Sequence, residues 1–280
     1  MSQSTINAAS ILRPEEVHEL VIQPLTTESV AFQASTVVQT NSHDYRIPIL
    51  TGDPDVGWTA EGAEITADDA DLGEVVVTPR KVAGITVVSN ELAADSSPEA
   101  TRVIGDRLVQ SLRRKIDAAW FGNTTANGPA GLGSIAASNV YAGVSYANLD
   151  AFLEAQVAAE NLGQKVTAFV TNPNTVLALS KIKKAASSNE ALLQPDPSSP
   201  SGRVIAGVPL LSSPDAPDNG LVWAVPQAVS FVVVRKDVEV VVDTSAFFTS
   251  DRVAIRAVAR VGFGFPHEAA LVKVNRSAAP

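Results

Sequence analysis

Any chemistry in this chain has to come from its oxygen-bearing side chains, because the other reactive types are absent or badly spaced. There is no cysteine, which removes thiolate ligands, disulfides and thiol nucleophiles. The histidines are His18, His43 and His267, and none has the i,i+4 partner that sets two imidazoles on one helix face around a metal. A serine nucleophile on a strand-to-helix elbow needs Gly-x-Ser-x-Gly; Gly143-Val144-Ser145-Tyr146-Ala147 fails at its last position. Gly128-Pro129-Ala130-Gly131-Leu132-Gly133 imitates a phosphate-cradling loop, but it follows a predicted helix and lacks Gly-Lys-Ser/Thr, so it reads as a turn. Asp68-Asp69-Ala70-Asp71 could attract a hard cation. It lacks the Gly at six and Glu at twelve of a calcium loop, and reads as a solvated acidic segment. No catalytic, cofactor or metal residue is assigned, and the chain is expected to be a non-enzyme without a cofactor.

What remains is an unusual distribution of charge. Thr51 to Pro79 contains Asp53, Asp55, Glu61, Glu64, Asp68, Asp69, Asp71 and Glu74, and no Lys or Arg. Trp58 sits among them, with Gly52, Pro54, Gly57, Gly62 and Gly73 around it. Tyr45–Leu50 reads as a strand, Val75–Thr78 is rich in β-formers, and Val82–Ser89 continues as a strand. The pattern predicts a long two-stranded excursion with an acidic tip. An isolated hairpin is marginal in water, so this one is expected to lean on something else.

Basic residues gather on the strongest helical signal. Ser97 is a good N-cap and Pro98 suits the first helical position. Ile104, Leu108, Leu112, Ile116 and Trp120 recur every four residues, Val103, Val109 and Ala119 widen the stripe to a face, and Gly122 is a natural stop. At about 1.5 Å per residue the helix is roughly 35 Å long. It carries Arg102, Arg107, Arg113, Arg114 and Lys115. Two readings stand for these cations. They lie on a solvated face with i,i+4 pairs such as Arg102–Asp106 and Arg113–Asp117, or they receive the acidic excursion of another copy.

The rest of the chain positions these parts. Residues 1–44 hold too few apolar residues to fold alone, with a short helix predicted from Pro14. After the break at 127–133, Tyr146–Leu162 reads as an amphipathic helix through Leu149, Phe152, Leu153, Val157 and Leu162, stopped by Gly163. Val166–Thr171 reads as a strand and Asn172-Pro173-Asn174 as a helix start, with the segment from Ala186 to Gly202 as a Ser/Pro-rich loop. Strands are predicted at Val208–Ser212, Leu221–Val225, Val229–Arg235, Val238–Asp243, Val253–Phe265 and Ala269–Val274. Phe247 to Asp251 forms a turn with two exposed aromatics, Phe247 and Phe248. The order is mixed α+β without a repeating βαβ unit. A hydrophobic fraction of 45% over 280 residues supports a large core. A net charge of −9 argues against tight nucleic-acid binding by one subunit. No secretory signal is visible and no apolar run nears the roughly 20 residues that span a bilayer, so no membrane partner is expected and a cytoplasmic origin is.

Several short motifs, taken in order, resemble the major capsid proteins of tailed bacteriophages, whose shell fold is shared with encapsulins. They are Trp58-Thr59-Ala60-Glu61-Gly62, Thr78-Pro79-Arg80-Lys81, and Val88-Ser89-Asn90-Glu91-Leu92 with Asp95-Ser96. Then come Phe121-Gly122-Asn123 with Gly128-Pro129-Ala130-Gly131-Leu132, and Val170-Thr171-Asn172-Pro173. Ile205-Ala206-Gly207-Val208-Pro209 and Ile255-Arg256-Ala257-Val258-Ala259-Arg260 before Pro266 complete the set. Each is loose alone; their order across nearly the whole chain is specific.

The resemblance implies an α+β capsid fold in named parts. Residues 1–44 would be an N-terminal arm and 51–82 an extended loop lying over a neighbour. Residues 45–50, 83–128 and 243–266 would form a peripheral domain with spine helix 97–122. Residues 129–242 and 267–280 would form an axial domain that meets its copies in pentamers and hexamers. The implied function is an icosahedral shell around the DNA genome of a tailed phage or prophage, the alternative being an encapsulin-like compartment around cargo protein. Assembly-interface candidates are Trp58, Glu61, Glu64, Asp68, Asp69 and Asp71 on the loop, and Arg102, Arg107, Arg113, Arg114 and Lys115 on the helix. Phe247, Phe248, Asp251 and Arg252 would meet neighbours around threefold positions. Implied partners are further copies, scaffolding, portal and decoration proteins, and packaged double-stranded DNA bound without sequence specificity. The implied place is the virion capsid, assembled in a host cytoplasm. Two departures are expected: no long scaffolding segment precedes the arm, and the loop has no Lys for the covalent crosslink some members make.

Overall fold

A computed structural model describes residues 29–52, 56–60, 62, 71–89, 98–143, 146, 148–184, 188–193 and 203–276. In chain order these form helix α1 (Val30–Ala34), strands β1 (Thr36–Gln39), β2 (Tyr45–Gly52), β3 (Asp71–Val77) and β4 (Arg80–Ser89), then helix α2 (Pro98–Phe121). Strand β5 (Ser138–Tyr141), helix α3 (Asp150–Glu160), β6 (Ala168–Thr171), helix α4 (Pro173–Ser180), β7 (Val204–Ile205), β8 (Val208–Ser212) and β9 (Val222–Val225) follow. Strands β10 (Phe231–Phe247), β11 (Arg252–Gly264) and β12 (Val272–Asn275) complete the fold.

Two sheets carry the architecture. A four-stranded sheet has the order β1-β10-β11-β4, and a six-stranded sheet has the order β5-β12-β9-β6-β8-β7. Helix α2 packs its Val109, Leu112, Ile116, Ala119 and Trp120 into one core with Ala257, Ala259, Val261 and Phe263 of β11. That core also takes Trp223 and Val225 of β9 and Ala168 and Val170 of β6. The alternate residues of those strands, Phe169, Val222 and Ala224, face a second core under α3 and α4. The six-stranded sheet is therefore covered on both faces, which explains why β6 and β9 are apolar runs without alternation. Close approach is bought with small residues: a Cβ on Gly84 of β4 would lie 2.8 Å from Leu108 of α2.

Glycine also explains the turn at 128–133. A Cβ on Gly131 would lie 2.2 Å from the Ala119 carbonyl oxygen and 2.4 Å from that of Trp120. The loop presses backbone to backbone against the end of α2, and Gly133 N donates to the Gly122 oxygen at 3.0 Å. The motif closes a helix, and no phosphate role is needed for it.

The structure departs from the sequence expectations in several places. Residues 29–39, expected in the arm, are built into the core: Ala31 and Ala34 are buried, and β1 pairs in parallel with Phe231–Val234 of β10. Strand β2, expected in the peripheral part, pairs along its length with β3, so the excursion is a hairpin rooted at Tyr45 and Val77. Strand β4 instead pairs with β11. The two strands expected at 229–235 and 238–243 are one strand, β10, whose register shifts near Lys236 and Glu239 break the alternation. It runs through the expected domain boundary at 242/243. Helix α3 is shorter than expected and turned. It buries Ala151, Phe152, Ala155 and Ala159, while Leu153, Val157 and Leu162 stand half exposed. The Ser97 cap lies outside the described residues.

Candidate assembly interface

The hairpin leaves the body over glycine. Ile47 of β2 and Val77 of β3 pack with Val233 of β10, above Gly262 and Gly264 of β11, where any Cβ would lie under 3.0 Å from Val77. Beyond this root, described residues of the hairpin stand open: Leu72 is 77% exposed and Trp58 fully so. Asp71 opens β3 and is exposed. Glu61, Glu64, Asp68 and Asp69 lie outside the described residues. Arg46 donates to Glu74 at 2.7 Å across the hairpin.

The basic residues of α2 do not form one free surface. Arg107 is exposed and donates to Gln110 at 3.3 Å. Lys115 is exposed. Arg114 donates to Asp215 Oδ1 at 3.1 Å, which ties the helix to the loop after β8. Arg113 is half-buried. Of Arg102 only its place in α2 is described. The expected surface pair Arg113–Asp117 is corrected: Asp117 is 3% exposed. Its Oδ1 accepts from Ser29 Oγ at 2.6 Å and from Ala31 N at 3.2 Å, and Oδ2 accepts from Val30 N at 3.4 Å. Burial pushes its carboxyl pKa up, while these hydrogen bonds and the Arg113 charge oppose the shift. Ser29 supplies no cap of its own to α1; a residue 88 positions away does it instead.

At the other end of the sheet, Phe247 is partly exposed at the end of β10, and Phe248 enters the turn Phe248–Ser250. Asp251 is exposed, with φ +49°. Arg252 pairs in register with Ser89 of β4 and Phe247 of β10. The loop aromatic Trp58 and this turn are not brought together within the subunit.

Sequence reasoning missed a second basic surface. Arg252, Arg256 and Arg260 point from β11 to the side opposite α2, with Lys81 beside Arg260 in β4. The signal was present: positions four apart on a strand share a face.

These features match known proteins along the whole chain. The model of the phage capsid family matches residues 9–275. The chain belongs to the phage capsid family. A capsid polyprotein of Pseudomonas phage PAJU2 is 32% identical over 127 residues, 42% of this chain. The chain's match spans only 19% of that polyprotein's length. Among solved structures, the capsid of the empty GTA particle aligns over 99% of this chain and 95% of its own, at 18% identity and a TM-score of 0.75. A chain of Mycobacterium phage Adephagia aligns over 100% of both at 15% identity and a TM-score of 0.74. One from Microbacterium phage Oxtober96 covers 99% of this chain and 96% of its own, at 17% identity and a TM-score of 0.73. At such identities the likeness establishes the capsid fold. Among the described residues, no helix is long and apolar enough to cross a membrane.

Proposed function

We propose that this chain is the major shell subunit of a tailed phage or prophage, closing as pentamers and hexamers into an icosahedral capsid around double-stranded DNA. The observation that carries the reading is the uncovered hairpin. A capsid-fold subunit exposes Leu50, Leu72, Val76 and Trp58 on a hairpin whose described residues pack into the body's core through Ile47 and Val77 at its root. A two-stranded ribbon of this kind gains its cover from neighbours, and symmetric association supplies that cover at every copy. The role is structural and not catalytic, with the subunit located in the virion after assembly in the host cytoplasm. Scaffolding, portal and decoration proteins are the partners such a shell calls for. The encapsulin-like alternative finds less support, because the family and the neighbours named above are capsids.

Expression followed by size-exclusion chromatography and electron microscopy tests this. The expected result is closed particles far above the 29.2 kDa of one chain, filled with DNA when isolated from lysed cells. A stable monomer that never assembles, with or without co-expressed partners from the same genome, overturns the reading. Shells filled with a single cargo protein turn it to the compartment alternative.

A further inference from the structure

Asn-Gly occurs twice in the chain, at Asn127-Gly128 and Asn219-Gly220. In this dipeptide the glycine amide nitrogen can attack the asparagine side-chain carbonyl carbon within the same chain, and no Cβ on the glycine hinders the closing of a five-membered ring. The fold treats the two pairs differently. We infer that Asn219 is a self-modifying site, converting to aspartate and isoaspartate through a cyclic imide with Gly220, while Asn127 is protected.

Asn219 is exposed in the loop between β8 and β9. Its Oδ1 accepts from Leu221 N at 3.0 Å, a turn that folds the carboxamide back over its own main chain. That N–H sits on the oxygen where negative charge develops during attack, as an oxyanion donor does. Among the described residues Gly220 N donates no hydrogen bond, so the nucleophile is uncommitted. The loop around it is held: Asn174 Nδ2 donates to Asp218 Oδ2 at 2.7 Å, and Tyr146 Oη donates to the Gly220 oxygen at 2.6 Å. Asn127 is exposed as well, but Gly128 N donates to the Thr125 oxygen at 2.8 Å. The Thr125 methyl group also covers Gly128, where a Cβ would lie 2.7 Å from Thr125 Cγ2. No amide donates to the Asn127 side chain among the described residues.

The step needs only water. Gly220 N gives its proton to solvent and bonds to Asn219 Cγ, and the Cγ–Nδ2 bond breaks as ammonia leaves with a proton from solvent. Water then opens the imide at either carbonyl, giving aspartate or isoaspartate. Both products add a negative charge to a loop that already holds Asp215 and Asp218. Isoaspartate also lengthens the main chain by one carbon next to Gly220, where there is little room. Gly220 has φ +73°, and a Cβ on it would lie 2.2 Å from Arg276 Cδ. Its carbonyl anchors Tyr146, whose hydroxyl is also 3.3 Å from the Val274 oxygen of β12. Isoaspartate therefore loosens the corner where β9 and β12 meet, and an ageing subunit carries the change in both charge and stability.

The full-length chain, folded and separately in urea, is held in mildly alkaline buffer made with heavy-oxygen water and mapped by peptide mass spectrometry. In the folded chain residue 219 is expected to take up heavy oxygen at least about tenfold faster than residue 127. The hydrogen bond that Gly128 must give up and the donor that Asn127 lacks are each worth roughly 2- to 10-fold in rate. In urea the two sites should convert at similar rates. The product at 219 should include isoaspartate, detected by its methylation with an isoaspartyl methyltransferase. Asn219→Gln, which must close a larger ring, should stay unchanged over the same time. An unconverted Asn219 in the folded chain, an Asn127 that converts as fast, or aspartate without isoaspartate overturns the proposal. As a second measurement, the isoaspartate form is separated by ion exchange and compared with Asn219→Asp, which has the same charge on an ordinary main chain. The isoaspartate form is expected to unfold at lower urea, and equal midpoints would overturn the loosening of the corner. These outcomes do not depend on whether the subunit assembles, so they leave the shell reading untouched.

Discussion

Replacing Asp117 by Ala should destabilise the subunit far more than a change on an exposed helix surface. The carboxylate accepts from Ser29 Oγ at 2.6 Å and Ala31 N at 3.2 Å, with a longer contact from Val30 N. Ser29 and Asp117 are both buried, so water does not replace what Ala removes. A buried donor left unmade costs about 1–3 kcal/mol, and two strong donors are stranded here. Against this, Ala removes a carboxylate whose desolvation is already unfavourable. The net loss is expected at about 2–4 kcal/mol. Asp117→Asn keeps one acceptor oxygen and should lose about 1 kcal/mol. Urea unfolding of dissociated subunits measures both, read by fluorescence. Trp120, three residues along α2, is fully buried and reports the same core. Amide hydrogen exchange at Ala31–Ala34 should accelerate in the Ala variant before the rest of the core does. An Ala variant within about 0.5 kcal/mol of wild type, the scatter of ordinary surface changes, would refute the view that Asp117 holds α1 in place.

Two further outcomes follow. Burial raises the Asp117 pKa in the folded subunit, so its favourable contribution is complete below the unfolded carboxyl pKa and is lost as pH rises through the folded one. Wild type should thus gain on Asp117→Asn as pH is lowered from neutral into the acid carboxylate range; a pH-independent difference in urea midpoint would contradict this. Gly131→Ala forces a methyl group against the Ala119 and Trp120 carbonyls and should cost about 1–3 kcal/mol or more, measured by the same unfolding curves; an unchanged midpoint would show that the loop can shift freely.

Legibility in the sequence followed how local the physical cause was. Helix α2 was plain because five large apolar residues recur every four positions and nothing in the interval breaks them. Helix α3 was misjudged because its buried face uses Ala155 and Ala159 for close packing on the sheet, while larger residues face out. Strand β10 looked like two strands because its irregular register interrupts the alternation. Asp117 was indistinguishable from a surface partner of Arg113, since its real partners are 86 to 88 residues away. The pairing of β1 with β10 is likewise a long-range choice that no local pattern encodes. Of the candidate interface, composition marks the acidic stretch Thr51 to Pro79. The outward basic face of the sheet needed the register of β4 and β11, which fixes which alternate residues look outward.

The closure of α2 by the 128–133 loop has a consequence for handling the particle. The helix ends without a basic residue in its last turn, and its final carbonyls meet neutral backbone from Gly131 and Gly133. The junction between the two sheets thus rests largely on apolar contact and uncharged hydrogen bonds, which dissolved ions hardly weaken, with the Arg114–Asp215 pair beside them. The exposed surfaces proposed to meet neighbours carry charge as well as apolar residues such as Leu72 and Trp58, and the charged part is screened within about 10 Å at ordinary salt. Ionic strength should therefore weaken the charged part of the contacts between copies while each keeps its fold.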